Sequence, residues 1–182
     1  MKIIPEHLEN FKRAIEFYEK HGFKNIEVPW FVGLEANNIT MPSTSRPFKT
    51  PLGYLVGSAE QSFFQMMLDG NLSPGKYQAL TPCFRDEKVI SDTTLTTFMK
   101  LELIDTSANL SADVENLTRW AECFMLSEGI KCHIWKTNSG YDLMANGIEL
   151  GSYGMRNSNG FTWAYGTGLA EPRFTIVKNE NR

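Results

Sequence analysis

The sequence is poor in cysteine, in histidine and in excess positive charge, and each shortage excludes a class of protein. Its three cysteines, Cys83, Cys123 and Cys132, form no Cys-x-x-Cys pair, so we expect free thiols in a reducing compartment. The three histidines lack the spacing of a metal site. Lys and Arg number 18 against 21 Asp and Glu, whereas general nucleic-acid binding needs a surplus of positive charge.

Long apolar runs are also missing. No segment approaches the roughly 20 apolar residues that cross a bilayer, and the N-terminal MKIIPEHLENFKR is too polar for a signal peptide. Hydrophobic residues nevertheless make up 42% of the chain and charged residues 21%, which is typical of a globular protein with its own core. We therefore predict a single cytoplasmic domain over residues 1–182 that has no membrane partner.

Apolar spacing and turn residues predict a mixture of helices and strands. Helices are predicted over residues 6–21, 59–68 and 111–129, and a last one is predicted to start near Leu169. Strands are predicted over residues 23–28, 77–84, 96–104, 131–136, 141–151 and 161–166. Residues 34–52, rich in Asn, Ser, Thr and Pro, are predicted to be a loop. These elements indicate an α+β fold.

One hairpin could place two acidic side chains together. Asn146-Gly147 is a strong signal for a two-residue hairpin turn, because both turn positions need positive φ. In a regular hairpin Asp142 and Glu149 share one face and are diagonal neighbours about 7–8 Å apart. A divalent cation such as Mg²⁺ would relieve their repulsion, since it prefers oxygen ligands. The alternative is a solvated hairpin whose acids bind nothing.

Two further segments contain residues suited to a nucleotide. Arg85 follows a predicted strand and carries a planar donor fork that fits phosphate, although an Arg at a strand end often forms a surface ion pair. Phe98, Lys100 and Glu102 alternate along the next strand, so they share one face, where Phe98 could stack on a planar ligand. The Gly166-Thr167-Gly168 run either allows a ligand to approach the backbone or makes a turn.

In their order and spacing, these segments resemble the catalytic core of class II aminoacyl-tRNA synthetases. Residues 21–29 resemble motif 1, residues 83–87 with 98–102 resemble motif 2, and residues 166–173 resemble motif 3. Residues 58–61 and 141–152 are similar to elements of the aspartyl, asparaginyl and lysyl branch. The resemblance implies an antiparallel β-sheet flanked by helices, and a homodimer formed through the motif 1 segment with Pro29 and Trp30 near the two-fold axis.

The resemblance also implies an ATP site. Arg85 would hold the α-phosphate of ATP and Arg173 the γ-phosphate. Phe98 would stack on adenine, with Glu87 near the adenine amino group. Mg²⁺ would be bound by the two hairpin acids, Asp142 and Glu149, which agrees with the geometry of a regular hairpin.

An amino-acid site is implied as well. Gln61 would approach the α-amino group, and Ser152 and Arg156 would line the side-chain pocket. Arg156 occupies the place where aspartate-activating enzymes recognise a carboxylate, which suggests an acidic or amide amino acid. Seven residues separate it from Glu149, an odd step that needs a bulge, which Gly151 and Gly154 could supply. In the alternative, Arg156 starts an exposed polar loop.

Several departures point to a minimal, stand-alone paralogue. Motif 3 has Ala170 in place of its usual third glycine and Pro172 before the arginine. No segment resembles an anticodon-binding domain, so we expect no tRNA partner. The expected function is ATP·Mg-dependent activation of a small amino acid as an aminoacyl-adenylate, with ammonia, a carrier protein or a metabolite as the acceptor. The alternative is a non-catalytic dimeric module that binds nucleotide or amino acid and regulates a partner.

Overall fold

Helices and strands alternate along the chain. The computed structural model describes residues 3–41, 45–107 and 111–181. The helices are α1 (Pro5–Lys20), α2 (Leu34–Asn38), α3 (Ala59–Leu68), α4 (Ser111–Ser127) and α5 (Arg173–Glu180). The strands are β1 (Lys24–Asn25), β2 (Phe31–Val32), β3 (Lys49–Thr50), β4 (Gly53–Leu55), β5 (Lys76–Phe84), β6 (Thr97–Asp105), β7 (His133–Lys136), β8 (Gly140–Ala145), β9 (Ile148–Ser158) and β10 (Phe161–Glu171).

Seven of these strands form one sheet in the order β1-β5-β6-β10-β9-β8-β7. Only the short β1 runs parallel to its neighbour, β5, and the other pairings described in this sheet are antiparallel. A smaller sheet contains β2, β4 and β3 in that order. The predicted α+β fold, with an antiparallel sheet flanked by helices, is therefore confirmed.

Helices cover both faces of the large sheet, because the central strands carry apolar residues on each face. Leu103 of β6 and Ala164 of β10 belong to a core cluster with α1, α4 and α5. Their neighbours Ile104 and Trp163 belong to a second cluster with α2 and α3. Successive side chains of a strand point to opposite faces, so this alternation separates the two clusters. The even positions of β6 that precede Ile104, including Phe98, lie on the face that α3 covers.

Several predicted boundaries are wrong, among them the strand expected to end at residue 151, which continues to Ser158. The strand expected over residues 23–28 is only Lys24–Asn25, because β1 lies at the sheet edge and pairs only with the start of β5. The loop expected over residues 34–52 contains α2, which buries Ala36 and Asn37, and it also contains β3. The last strand continues to Glu171, and the helix expected from Leu169 begins at Arg173, because Leu169 still pairs with β6.

The glycines of motif 3 serve packing rather than a turn. Gly166 lies inside β10, where a Cβ atom would come within 2.2 Å of the Tyr153 ring. The pairing of β10 with β6 shifts between Thr167 and Leu169, so Gly168 sits in a bulge. There its carbonyl accepts a hydrogen bond from the Tyr18 hydroxyl at 3.0 Å. The expected turn is wrong, because the backbone here is an extended strand, whereas an approach of a ligand stays a prediction.

Neither a disulfide nor a membrane-spanning helix occurs in the described part of the chain. Cys83 is buried, Cys123 is exposed and Cys132 is half-buried, and all three are free thiols, as predicted. No helix in the described ranges is both long and apolar enough to span a membrane.

Candidate active site

A cavity of about 310 Å³ opens on the face of the large sheet that α3 covers. This volume lies within the range of small-molecule sites, roughly 300–1,000 Å³. The cavity is lined by residues of α3, β6, β9, β10 and the segment after β5. Apart from Asp142, the site residues predicted from the sequence all line it, namely Gln61, Arg85, Glu87, Phe98, Glu149, Ser152, Arg156 and Arg173.

Arg85 and Phe98 form a contact at one end of this cavity. The Arg85 backbone N–H donates to the Thr96 carbonyl at 2.9 Å, which fixes the residue just beyond β5. Its Nε donates to the Gly57 carbonyl at 3.1 Å, and its guanidinium carbon lies 5.0 Å from the centre of the Phe98 ring. Among the described residues neither Nη of Arg85 has a hydrogen-bond partner. These donors are therefore available to an anion.

Arg173, the first residue of α5, connects two walls of the cavity. Its Nε donates to the Thr93 carbonyl at 2.8 Å, in the loop between β5 and β6. Its Nη1 donates to the Glu149 carbonyl at 3.0 Å and lies 3.4 Å from the Glu149 Oε1. The guanidinium thus holds the β5–β6 loop close to β9.

The predicted register of the β8–β9 hairpin is only partly correct. Asn146 and Gly147 form the turn with φ of 50° and 76°, and Met144 pairs with Glu149 as expected. The pairing then shifts by one residue, so Asp142 lies opposite Ser152 instead of Gly151. The extra residue of this β-bulge is Leu150, whose side chain is buried in the core.

The carboxylates fit a magnesium ion only in part. Glu149 lines the cavity, whereas Asp142 is absent from its lining. Within the described ranges, no group of three or more His, Cys, Asp or Glu side chains is placed to hold a metal ion. Magnesium commonly takes only one or two carboxylates when substrate phosphates supply the other ligands. Glu149 therefore fits such a role, and a metal contact from Asp142 stays a prediction.

The same bulge turns Arg156 towards the cavity. Arg156 lies inside β9 opposite Trp163, so the exposed-loop alternative is wrong. Its guanidinium carbon lies 4.7 Å from the centre of the Tyr165 ring. The bulge lies at Leu150, whereas Gly151 and Gly154 make room for tyrosines: a Cβ on either would meet a tyrosine hydroxyl at 2.5 Å.

Glu60 is a site residue that the sequence analysis missed. Its Oε1 accepts hydrogen bonds from Arg156 Nε and from Trp163 Nε1, each at 2.8 Å. Burial raises the pKa of Glu60 to about 7, although the nearby Arg156 charge lowers it. The one signal for Glu60 in the sequence was its position beside Gln61. An acidic residue in the first turn of a helix is ordinarily explained by its favourable interaction with the helix dipole, so it does not by itself indicate a functional site.

The floor of the cavity contains a second buried ion pair. Lys100 and Glu102 lie on the same face of β6 as Phe98, as predicted, and their side chains form a salt bridge. Ser58 donates to the same Glu102 oxygen and also caps α3. Gln61 is held by backbone groups, because its Oε1 accepts from the Gly57 N–H at 2.7 Å and its Nε2 donates to the Asn37 carbonyl.

Comparison with solved structures identifies the class of fold. A pyrrolysyl tRNA synthetase from Desulfitobacterium hafniense superposes with a TM-score of 0.74 at 15% identity, over 96% of this chain and 69% of that chain. A cytoplasmic serine-tRNA ligase from Naegleria fowleri in complex with AMP gives 0.75 at 20% identity, over 96% and 47%. The seryl-tRNA synthetase from Pyrococcus horikoshii complexed with ATP gives 0.76 at 17%, over 93% and 49%.

The chain therefore has the catalytic fold of class II aminoacyl-tRNA synthetases. It spans about half the length of the two seryl enzymes. No protein-family model and no curated protein sequence matches it. Because the structures described above are pyrrolysyl and seryl enzymes, the aspartyl, asparaginyl and lysyl branch stays a prediction.

Proposed function

We propose that this chain joins ATP and a small amino acid into an aminoacyl-adenylate, with release of pyrophosphate. The observation that carries this proposal is the end of the cavity where the two unpartnered Nη groups of Arg85 lie beside the Phe98 ring. In this reaction an oxygen of the amino-acid carboxylate attacks the α-phosphorus, and the bond to the β-phosphate breaks. Such a reaction depends on positioning and charge neutralisation more than on acid–base groups.

Each of the residues around the cavity would bind a different part of ATP or the Mg²⁺ ion. Arg85 would bind the α-phosphate, and Phe98 would stack on adenine with Glu87 near its amino group. Arg173 would bind the γ-phosphate, because its Nη2 has no partner among the described residues. Mg²⁺, when bound to the phosphates, would add positive charge there, and Glu149 is the carboxylate placed to hold it.

We also propose that the amino acid has an acidic or amide side chain. Both Nη groups of Arg156 lack a partner in the described part of the chain, so they can donate to a carboxylate or amide oxygen. Glu60 balances part of the Arg156 charge, and Ser152 lies on the same cavity wall. An aliphatic side chain placed against these groups would shield them from water without offering an acceptor, which disfavours aliphatic amino acids.

Exchange of radioactive pyrophosphate into ATP, measured with each of the twenty amino acids, tests this function. We expect exchange with Asp or Asn to exceed exchange with Ser and Leu. Arg156→Leu should lose this preference, whereas Arg119→Leu, an exposed site on α4, should keep it. Equal exchange with Leu would contradict the proposed specificity. Thermal stabilisation by ATP·Mg²⁺ without exchange would instead support a regulatory, non-catalytic role.

We further propose that the chain forms a homodimer through residues 7–31, with Pro29 and Trp30 near the two-fold axis. Trp30 is 50% exposed and Phe31 is 37% exposed, next to the partly buried Val28. Exposed apolar patches commonly mark protein contacts. Sedimentation at micromolar concentration should give twice the 20.7 kDa mass of one chain. Trp30→Asp should produce monomers, whereas Trp135→Asp, on the opposite edge strand, should not. A monomeric parent protein would contradict the proposal.

A further inference from the structure

One fully buried carboxylate beside the cavity has no part in the proposed reaction. Glu171 is the last residue of β10, two residues before Arg173, and is 0% exposed. Its Oε1 accepts from Asn10 Nδ2 at 2.8 Å and from the Thr175 hydroxyl at 2.9 Å. Its Oε2 accepts from the Thr175 backbone N–H at 3.1 Å and lies 3.9 Å from His7 Nε2.

We infer that Glu171 is a positioning residue for Arg173, through which α1 fixes the start of α5. The Glu171 carboxylate accepts hydrogen bonds from the side chain of Asn10 on α1 and from the backbone of Thr175 in the first turn of α5. Arg173 is the first residue of that turn, so its direction into the cavity depends on where the turn is held. This inference rests on the proposed function, in which Arg173 binds the γ-phosphate.

A chain of polar contacts continues from Glu171 and holds α5 at a second point. Asn10 Oδ1 accepts from Arg13 Nη2 at 2.6 Å, and Arg13 binds both oxygens of Glu128, at 2.8 and 3.0 Å. Glu128, just after α4, also accepts a hydrogen bond from Lys178 on α5. The first turn of α5 is therefore linked by hydrogen bonds to α1, and its last turn is linked by a hydrogen bond to Glu128 at the end of α4.

Stability alone is a weak reason for an acid at this position. Burial raises the pKa of Glu171, while the hydrogen bonds from Asn10 and Thr175 lower it. Well-packed apolar residues often replace a whole buried ion pair, both partners together, without loss of stability. Apolar contacts are non-directional, however, whereas hydrogen bonds to a carboxylate fix the direction of their donors. The carboxylate therefore suits a site where the orientation of one helix turn matters.

The experiment measures ATP kinetics and backbone exchange in Glu171→Leu, with Val177→Ala as a destabilised control in the same helix. Glu171→Leu should raise the KM for ATP about tenfold and leave the KM for the amino acid nearly unchanged. Added to Arg173→Ala, it should raise the KM for ATP no further, because both changes remove the same interaction. Glu171→Gln, which keeps one acceptor, should recover part of the loss.

Hydrogen–deuterium exchange separates this inference from the proposed function, because it needs no ATP. Amide exchange over residues 173–177 should be faster in Glu171→Leu than in Val177→Ala. If exchange is faster but the parent protein does not bind ATP, the positioning role stands and the proposed function fails. If exchange and the KM for ATP match the Val177→Ala control, the inference is overturned. Should Glu171→Leu not fold, Thr175→Val removes the hydroxyl that donates to Glu171 and accepts from Asn10, and it should change both readouts in the same direction.

Discussion

Replacing Arg85 by alanine is expected to weaken ATP binding by about 1.5–3 kcal/mol, or roughly 10- to 150-fold in Kd. The two Nη groups of Arg85 are free of partners within the described residues, and its Nε bond to the Gly57 carbonyl orients them. The variant thus removes charged donors that are already fixed in place. Calorimetry with ATP·Mg²⁺ measures the change directly.

Two further variants make this result specific. Arg119→Ala also removes a guanidinium, but from an exposed site on α4 that does not line the cavity, so its ATP affinity should equal that of the parent. Arg85→Lys should recover only part of the affinity, because lysine keeps the charge but lacks the planar donor fork. Unchanged affinity in Arg85→Ala would reject this residue as a phosphate ligand.

Replacing Phe124 by alanine is expected to lower the free energy of unfolding by about 3–5 kcal/mol. Phe124 is 1% exposed and lies where three helices meet. Its ring centre is 5.7 Å from that of Tyr18 on α1 and 5.9 Å from that of Phe174 on α5. Alanine would leave a cavity between these helices that rigid neighbours cannot fill.

Leu126, on the same helix, provides the matched control. It is 52% exposed, so Leu126→Ala should change the free energy of unfolding by less than about 0.5 kcal/mol. Urea denaturation followed by circular dichroism measures both variants. A loss below about 1 kcal/mol in Phe124→Ala would show that the three helices are not packed around this ring.

Local sequence patterns predicted the elements and most of the site. The Asn-Gly turn, the alternation of Phe98, Lys100 and Glu102 and the long helices depend on neighbours within a few residues, so their spacing is readable from the sequence. The resemblance to motifs 2 and 3 then placed Arg85 and Arg173 at one site, and both line the cavity.

Other features depend on residues far apart in the chain and were missed or misjudged. The bulge at Leu150 moves Asp142 opposite Ser152, and nothing local to the hairpin indicates it. Glu60 pairs with Arg156 across 96 positions of sequence. The first glycine of motif 3, Gly166, is explained by the Tyr153 ring, which packs against it from another strand.

The sequence by itself determined the fold class, the hairpin turn and several of the residues that line the cavity, because periodicity and motif order are properties of the linear chain. Only the tertiary structure decided which way Arg156 points, which acid it meets and why Glu171 is buried. Glu171 reaches Asn10 across 161 positions, and its hydrogen bonds exist only once β10 and α1 are packed together. Long-range packing chooses the partners of buried polar groups, and no local pattern in the sequence records that choice.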